Sequence, residues 1–174
     1  MLTRILVATD GSEHAGRAVA AGGELAGRLG AKLMLTHVVV AAPDSREVSG
    51  MAKLMKDLGP SPSFAPMHMD ELVGLVAEQS GRTHVRTHRE ALREIGQQLL
   101  KRAEQEAQGG GARGVELDLR EGSPAEEIVR SAEAREADLI LLGSKGLGGT
   151  RHKLMGDVAR KVTSHAPVSC MIVR

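Results

Sequence analysis

Short apolar runs alternate along the chain with longer stretches of helical periodicity. Ile5 to Ala8 is a continuous apolar run, as expected of a strand covered on both faces. Ala15, Ala18, Val19, Gly22, Leu25, Ala26 and Leu29 then recur at helical spacing and stop before Gly30, which predicts an amphipathic helix. Leu33 to Val40 reads as a second strand, and Leu92, Ile95, Leu99 and Ala103 form one face of a later helix that Gly109, Gly110 and Gly111 terminate. Val115, Leu117 and Leu119 alternate with Glu116, Asp118 and Arg120, the pattern of a half-exposed edge strand. Ser123-Pro-Ala-Glu126 supplies an N-cap, a proline in the first turn and a capping-box glutamate. Leu139 to Leu142 is again apolar throughout, Asp157 to His165 is helical, and Val168 to Val173 is the fifth strand.

Strands alternating with helices imply an α/β fold, a parallel sheet with helices on both faces and right-handed crossovers. The stretch from Ala41 to Glu90 breaks this economy, because connections are typically about 4 to 6 residues, and it reads as an insertion after the second strand of a single domain spanning 1–174. Val48, Met51, Met55 and Leu58 suit one short helix within it, and Met69, Leu72, Val73 and Val76 another, separated by the breaker Pro60 to Pro66. A connection here leaves the sheet at its ligand side. A lid, a contact for a protein partner and a surface excursion with no role all remain open for it.

The composition excludes more than it identifies. With 41% hydrophobic and 26% charged residues and a formal charge of +1 among 174 residues, neither a nucleic acid nor a membrane surface is indicated as partner. No apolar run approaches the roughly 20 residues of a membrane span, and the N-terminal run is too interrupted for a signal segment, so a cytoplasmic location is expected. One cysteine, Cys170, falls inside a strand and has no partner for an intramolecular disulfide. One Phe and no Trp or Tyr leave an aliphatic core, and any base in a pocket would be held by aliphatic contacts and backbone hydrogen bonds.

The chemistry concentrates near the C-terminus. Gly143-Ser-Lys-Gly146 follows a buried strand, where the backbone turns without a Cβ in the way and amides reach an anion. Gly156 opens the next helix, whose unpaired N–H groups and positive dipole end would face the same anion, so Gly146 and Gly156 are expected to present bare amides to it. Gly143, Gly148 and Gly149 nearly match the P-loop, but Gly149 stands at the lysine position; the dinucleotide fingerprint is absent after the first strand, which ends in Thr9-Asp10-Gly11-Ser12. Ser144 and Thr150 could donate hydroxyls to phosphate or satisfy loop backbone, and Lys145 and Arg151 are as readily solvated as paired. Asp10 suits a ribose hydroxyl or a magnesium aqua-ion, yet with Glu13 it also spells a capping box.

What remains, Gly-x-x-Gly, nine residues and Gly after an apolar strand, resembles the universal stress protein family. Ile5 to Ser12, Leu35-Thr-His-Val38, Val115 to Pro124 and Leu139 to Arg174, with its His-Ala-Pro, carry the likeness. The resemblance implies an adenine nucleotide alpha hydrolase-like sheet of order 3-2-1-4-5, which also places the alternating third strand at an edge. It implies ATP or another adenine nucleotide bound by Ala8, Thr9, Asp10, Gly11 and Ser12, by the backbone of Val38, by Gly143, Ser144, Gly146, Gly148 and Gly149, and by Gly156, Asp157 and Val158. It also supports a homodimer paired through 168–173.

Asp157 departs from the family pattern, which has Ser or Thr there. A carboxylate about 4 Å from phosphate repels it by about 1 kcal/mol in water and about 4 at an effective dielectric of 20, so a Mg²⁺ held by Asp157 and Asp10 is needed to invert the sign. Two functions follow: a small stress-response regulator that senses nucleotide, at most a slow ATPase, or a dimeric interaction module whose phosphate cradle Asp157 has silenced. A flavin-binding relative is disfavoured by the lack of aromatics. His84 and His88 share a helical spacing without companion ligands, so zinc is not expected, and Met51, Met55, Met67 and Met69 read as gap-filling apolar residues.

Overall fold

The computed structural model describes residues 1–40, 82–147 and 154–174. The two short helices expected between 41 and 81, and Gly148, Gly149, Thr150 and Arg151, lie outside the described residues. In chain order the elements are β1 (Arg4–Ala8), α1 (Glu13–Leu29), β2 (Lys32–Val39), α2 (Arg82–Gly109), β3 (Val115–Glu121), α3 (Pro124–Ala134), β4 (Leu139–Gly143), α4 (Asp157–His165) and β5 (Ser169–Val173). The five strands are parallel in the order β3-β2-β1-β4-β5.

Alternation along each strand divides the core into two layers. Ile5, Val7, Leu33, Leu35, Leu139 and Leu141 face one side and pack with Ala18, Val19 and Ala26 of α1 and Leu100, Ala103 and Ala107 of α2. Leu6, Ala8, Met34, Val38, Ile140 and Leu142 face the other, against Ala125, Ile128 and Ala132 of α3 and Val162 of α4. β1 pairs on both edges, Ile5 with Leu33 and with Leu139, which is why its run is apolar without alternation. Small residues let α1 and α2 approach closely, and a Cβ on Gly23 would stand 2.6 Å from the Ala107 carbonyl oxygen.

The second layer also holds a buried polar seam. Thr36 Oγ1 lies 3.3 Å from Ser131 Oγ, which donates to Asp118 Oδ2 at 2.5 Å; Arg120 Nε donates to the same oxygen at 2.7 Å. Burial acts to raise the Asp118 pKa, but the hydrogen bonds from Arg120 and Ser131 and the nearby Arg120 and Arg135 charges outweigh it and hold the carboxyl below 3.8. The seam joins β2, β3 and α3 where an all-apolar pattern would have been expected.

Three helix ends differ from expectation. Ser12, not Asp10, caps α1, accepting from the Ala15 N–H at 3.3 Å. Ser123 precedes Pro124 in extended conformation but makes no side-chain cap bond, so the expected capping box is not formed. Helix α2 begins at Arg82, so the last nine residues of the expected insertion belong to it, with His84 and His88 in its first turns.

Gly23→Ala should destabilise the fold by about 1–3 kcal/mol through overpacking at the α1–α2 crossing, although alanine is the better helix former. Urea unfolding of the two proteins checks this.

Candidate functional site

Strand order reverses between β1 and β4, and the connections leaving their C-terminal ends open into one crevice. From β1 the chain passes through Thr9 and Asp10, turns at Gly11 with φ 79° and enters α1. From β4 it passes through Ser144 to Leu147. The two turns are tied together. Asp10 Oδ2 accepts from the Leu147 N–H at 2.9 Å, Asp10 Oδ1 accepts from the Ser12 N–H at 3.0 Å, and Ser12 Oγ donates to the Lys145 carbonyl at 3.2 Å. A Cβ on Gly146 would run into Asp10 Oδ2, and one on Gly143 would stand 2.6 Å from the His14 carbonyl carbon. Glycine is required at both positions by this close approach.

The start of α4 adjoins the β4 loop. Gly156 donates its N–H to the Ser144 carbonyl at 2.7 Å. The expectation of a bare Gly156 amide is therefore corrected: this amide fastens the helix start to the loop and is not offered to an anion. The Leu147 amide is likewise taken, by Asp10. The first intrahelical bond runs from Arg160 N–H to the Gly156 carbonyl, so the Val158 and Ala159 amides precede the helical ladder. Asp157, its side chain 61% exposed, begins the helix with Arg160 Nη2 3.9 Å from its carboxylate.

Of the residues expected to bind, the structure gathers Ala8, Thr9, Asp10, Gly11, Ser12, Gly143, Ser144 and Gly146 at the β1 and β4 ends, with Gly156, Asp157 and Val158 beside them. Val38 lies one strand away, at the end of β2. Ser144 is 2% exposed, its N–H donating to the Val173 carbonyl at 2.7 Å and its hydroxyl 3.4 Å from His14 Nδ1. Among the described residues no three His, Cys, Asp or Glu side chains form a metal cluster.

Two residues went unnoticed in the sequence. His37 Nδ1 lies 2.8 Å from the Thr9 carbonyl oxygen; an oxygen of this kind only accepts, so Nδ1 carries the hydrogen. Burial pulls the His37 pKa below 6.5, against the Thr9 carbonyl and the Asp10 charge, which favour the protonated ring. Gly96 of α2 makes room for it, since a Cβ there would come within 2.7 Å of His37 Cδ2 and of Leu119 Cδ1. The signal was a histidine inside an otherwise apolar strand and a lone glycine inside a helix.

The five-stranded parallel sheet in this order matches the adenine nucleotide alpha hydrolase-like fold. The universal stress protein family model matches residues 1–61 and 68–174, and the chain belongs to that family. A universal stress protein of Thermus aquaticus is 32% identical over 178 positions covering all of both chains. Universal stress protein MJ0531 of Methanocaldococcus jannaschii is 38% identical over 85 residues, a match that spans about half its length (49%). Among solved structures, hypothetical protein MJ0577 has a TM-score of 0.70 at 22% identity, with 99% of this chain and 96% of that one covered. A universal stress protein in complex with cAMP has 0.61 at 22%, covering 99% and 97%. One from Archaeoglobus fulgidus in complex with dAMP has 0.58 at 18%, covering all of both chains.

A histidine held neutral by the fold binds fewer protons than in the unfolded chain. The stability it contributes is present above about pH 6.5 and is lost as pH falls from there through the lowered folded-state value. Urea unfolding at pH 7.5, 6.5 and 5.5 should show His37→Asn losing less stability on acidification than the parent; equal losses would show that His37 is not the group responsible.

Proposed function

We propose that this chain is an adenine-nucleotide-binding regulator, with ATP in the crevice between the β1 and β4 turns, working in the cytoplasm as a single domain. The observation that carries the reading is the Gly156 to Ser144 hydrogen bond of 2.7 Å, which seats the N-terminal turn of α4 against the glycine loop at the reversal of strand order. Its effect is to bring the α4 amides and the loop backbone onto one side of the crevice, where a polyphosphate would meet both. Relatives of the same fold solved with cAMP and dAMP support an adenine nucleotide as the ligand class. In this reading Ala8, Thr9 and the backbone of Val38 surround the base, Asp10, Gly11 and Ser12 border the ribose, and Gly143, Gly146 and Val158 face the phosphates. Gly148 and Gly149, outside the described residues, are assigned to the phosphates by the family resemblance alone. Ser144, expected there too, is buried with its N–H, carbonyl and hydroxyl engaged within the fold and supports the loop, and Gly156 shapes the turn. Regulation, not turnover, is the role: the Ser144 hydroxyl is enclosed, and ATP hydrolysis is slow if it occurs.

Asp157 opposes phosphate, and a Mg²⁺ shared between the phosphates and Asp157, reached also by the outer face of Asp10, relieves the repulsion. Because Asp157 is largely exposed, the lower figure of about 1 kcal/mol applies. Asp157→Ser should tighten ATP binding about fivefold in EDTA, and less than that with excess Mg²⁺. Isothermal titration checks both arms. Parent affinity that is tight and indifferent to EDTA would remove the magnesium part, and a parent that ignores every adenine nucleotide would remove the function.

A second reading is favoured by β5. It ends the sheet, and Met171 on it is 41% exposed, an edge that pairing with the same strand of a second copy would cover. Dimerisation then carries the activity, with a protein partner at 41–90 and the cradle silenced by Asp157. Ile172→Lys should convert the dimer to monomers in sedimentation; an unchanged mass would exclude pairing through 168–173.

A further inference from the structure

We infer that His37 ends the β1–β2 ladder one residue early and thereby leaves the Val38 backbone N–H for a purine base. The base itself rests on the nucleotide-binding reading; the interruption of the ladder rests on geometry alone.

The two strands pair in register from Arg4 with Lys32 to Ala8 with Thr36, and the Thr9 N–H continues the pattern by donating to the Thr36 carbonyl at 2.9 Å. In a parallel ladder the next bond would run from the Val38 N–H to the Thr9 carbonyl. That carbonyl instead takes the His37 ring at 2.8 Å, and strand pairing stops at Ala8 and Thr36. The ring is backed by α2: it and the Leu119 side chain of β3 both lie over the bare Cα of Gly96, where a methyl group would meet the two.

Alternation along β2 then determines what is offered. Thr36 and Val38 direct their backbone polar groups towards β1, whereas Val39 accepts from Gly122 at the β3 side. Beyond the end of β1 nothing in the ladder faces Val38 among the described residues, so its N–H and carbonyl border the crevice as an adjoining donor and acceptor. Its side chain is anchored in the opposite layer under α3, 8% exposed, which fixes the peptide. Adenine carries an acceptor ring nitrogen beside a donor amino group and complements such a pair. His37 is therefore a positioning residue: it touches no ligand and acts through Thr9 and Val38.

The side-chain amide nitrogen of asparagine occupies the place of a histidine Nδ1, so His37→Asn keeps the donor; His37→Phe keeps the ring and loses it. Hydrogen exchange of the Val38 amide, followed by NMR, and ATP titration are measured on the parent and both variants. Expected are rapid Val38 exchange in the parent and His37→Asn, slowed by ATP, and slow exchange without nucleotide in His37→Phe, where Val38 now bonds Thr9, together with at least tenfold weaker ATP binding. Should His37→Phe not fold, Gly96→Ala, whose methyl crowds the ring off Thr9, is read in the same way. The inference is overturned if the nucleotide-free parent already protects Val38, or if ATP affinity and Val38 exchange in the Phe variant equal those of the parent. If no protein binds ATP while Val38 still slows in His37→Phe, the control of the ladder stands and the nucleotide reading falls.

Discussion

Buried on both faces, β1 can satisfy its backbone only through its neighbours in the sheet, and what the chain can offer a ligand follows from where that pairing stops. Ile5, Leu6 and Val7 are wholly buried, so each of their N–H and carbonyl groups must bond to β2 or β4. Only past Thr9, whose N–H still bonds the Thr36 carbonyl before the chain turns towards α1, does the obligation lapse. The order of strands makes that point a crevice, because the connections leaving the neighbouring strands β1 and β4 lead to helices on opposite faces of the sheet, α1 on one and α4 on the other.

Within the crevice the backbone is less free than a loop rich in glycine suggests. Asp10 holds one amide of its own turn and one of the β4 loop, Ser12 holds a loop carbonyl while capping α1, and Gly156 joins α4 to Ser144. These bonds order the site before any ligand arrives, which lowers the entropy cost of binding. They also withdraw donors from the ligand. Carboxylate-accepted amide bonds are among the stronger hydrogen bonds, so the Leu147 amide would go to phosphate only if Asp10 were first satisfied by something else, and a cation is the natural candidate.

Most of the architecture was legible because burial on two faces, one face or one stripe each leaves its own period. The unbroken run of Ile5 to Ala8 marked the centre of the sheet, the alternation from Val115 to Arg120 its edge, and Gly30 the end of α1, where it adopts φ 63°. The start of α2 was not legible, since 82–91 carries no apolar stripe and its helix is an extension of the packed part from Leu92 onward. At the site, sequence spacing brought Asp10 and the Gly143 loop together but could not assign hydrogen bonds. Asp10 and Ser12 are equally good caps by composition, and which of them caps α1 depends on Asp10 being drawn across the crevice to Leu147. His37 was hidden for a related reason: its partner is a carbonyl on another strand, and nothing in the local pattern distinguishes that from a histidine merely buried.

Asp157 shows how helix stability and ligand binding separate at one position. At the first residue of α4 its charge favours the helix by about 0.3–1 kcal/mol through the dipole, whether or not a ligand is bound. The same field attracts phosphate, and the two anions compete for it. Serine or threonine, which the family resemblance leads one to expect there, would bring no charge and would leave the field to a ligand. Under the proposed nucleotide reading, Asp157 would therefore stabilise the free protein at the expense of the bound one, and a divalent cation would restore the balance only by making the carboxylate and the phosphate ligands of the same ion.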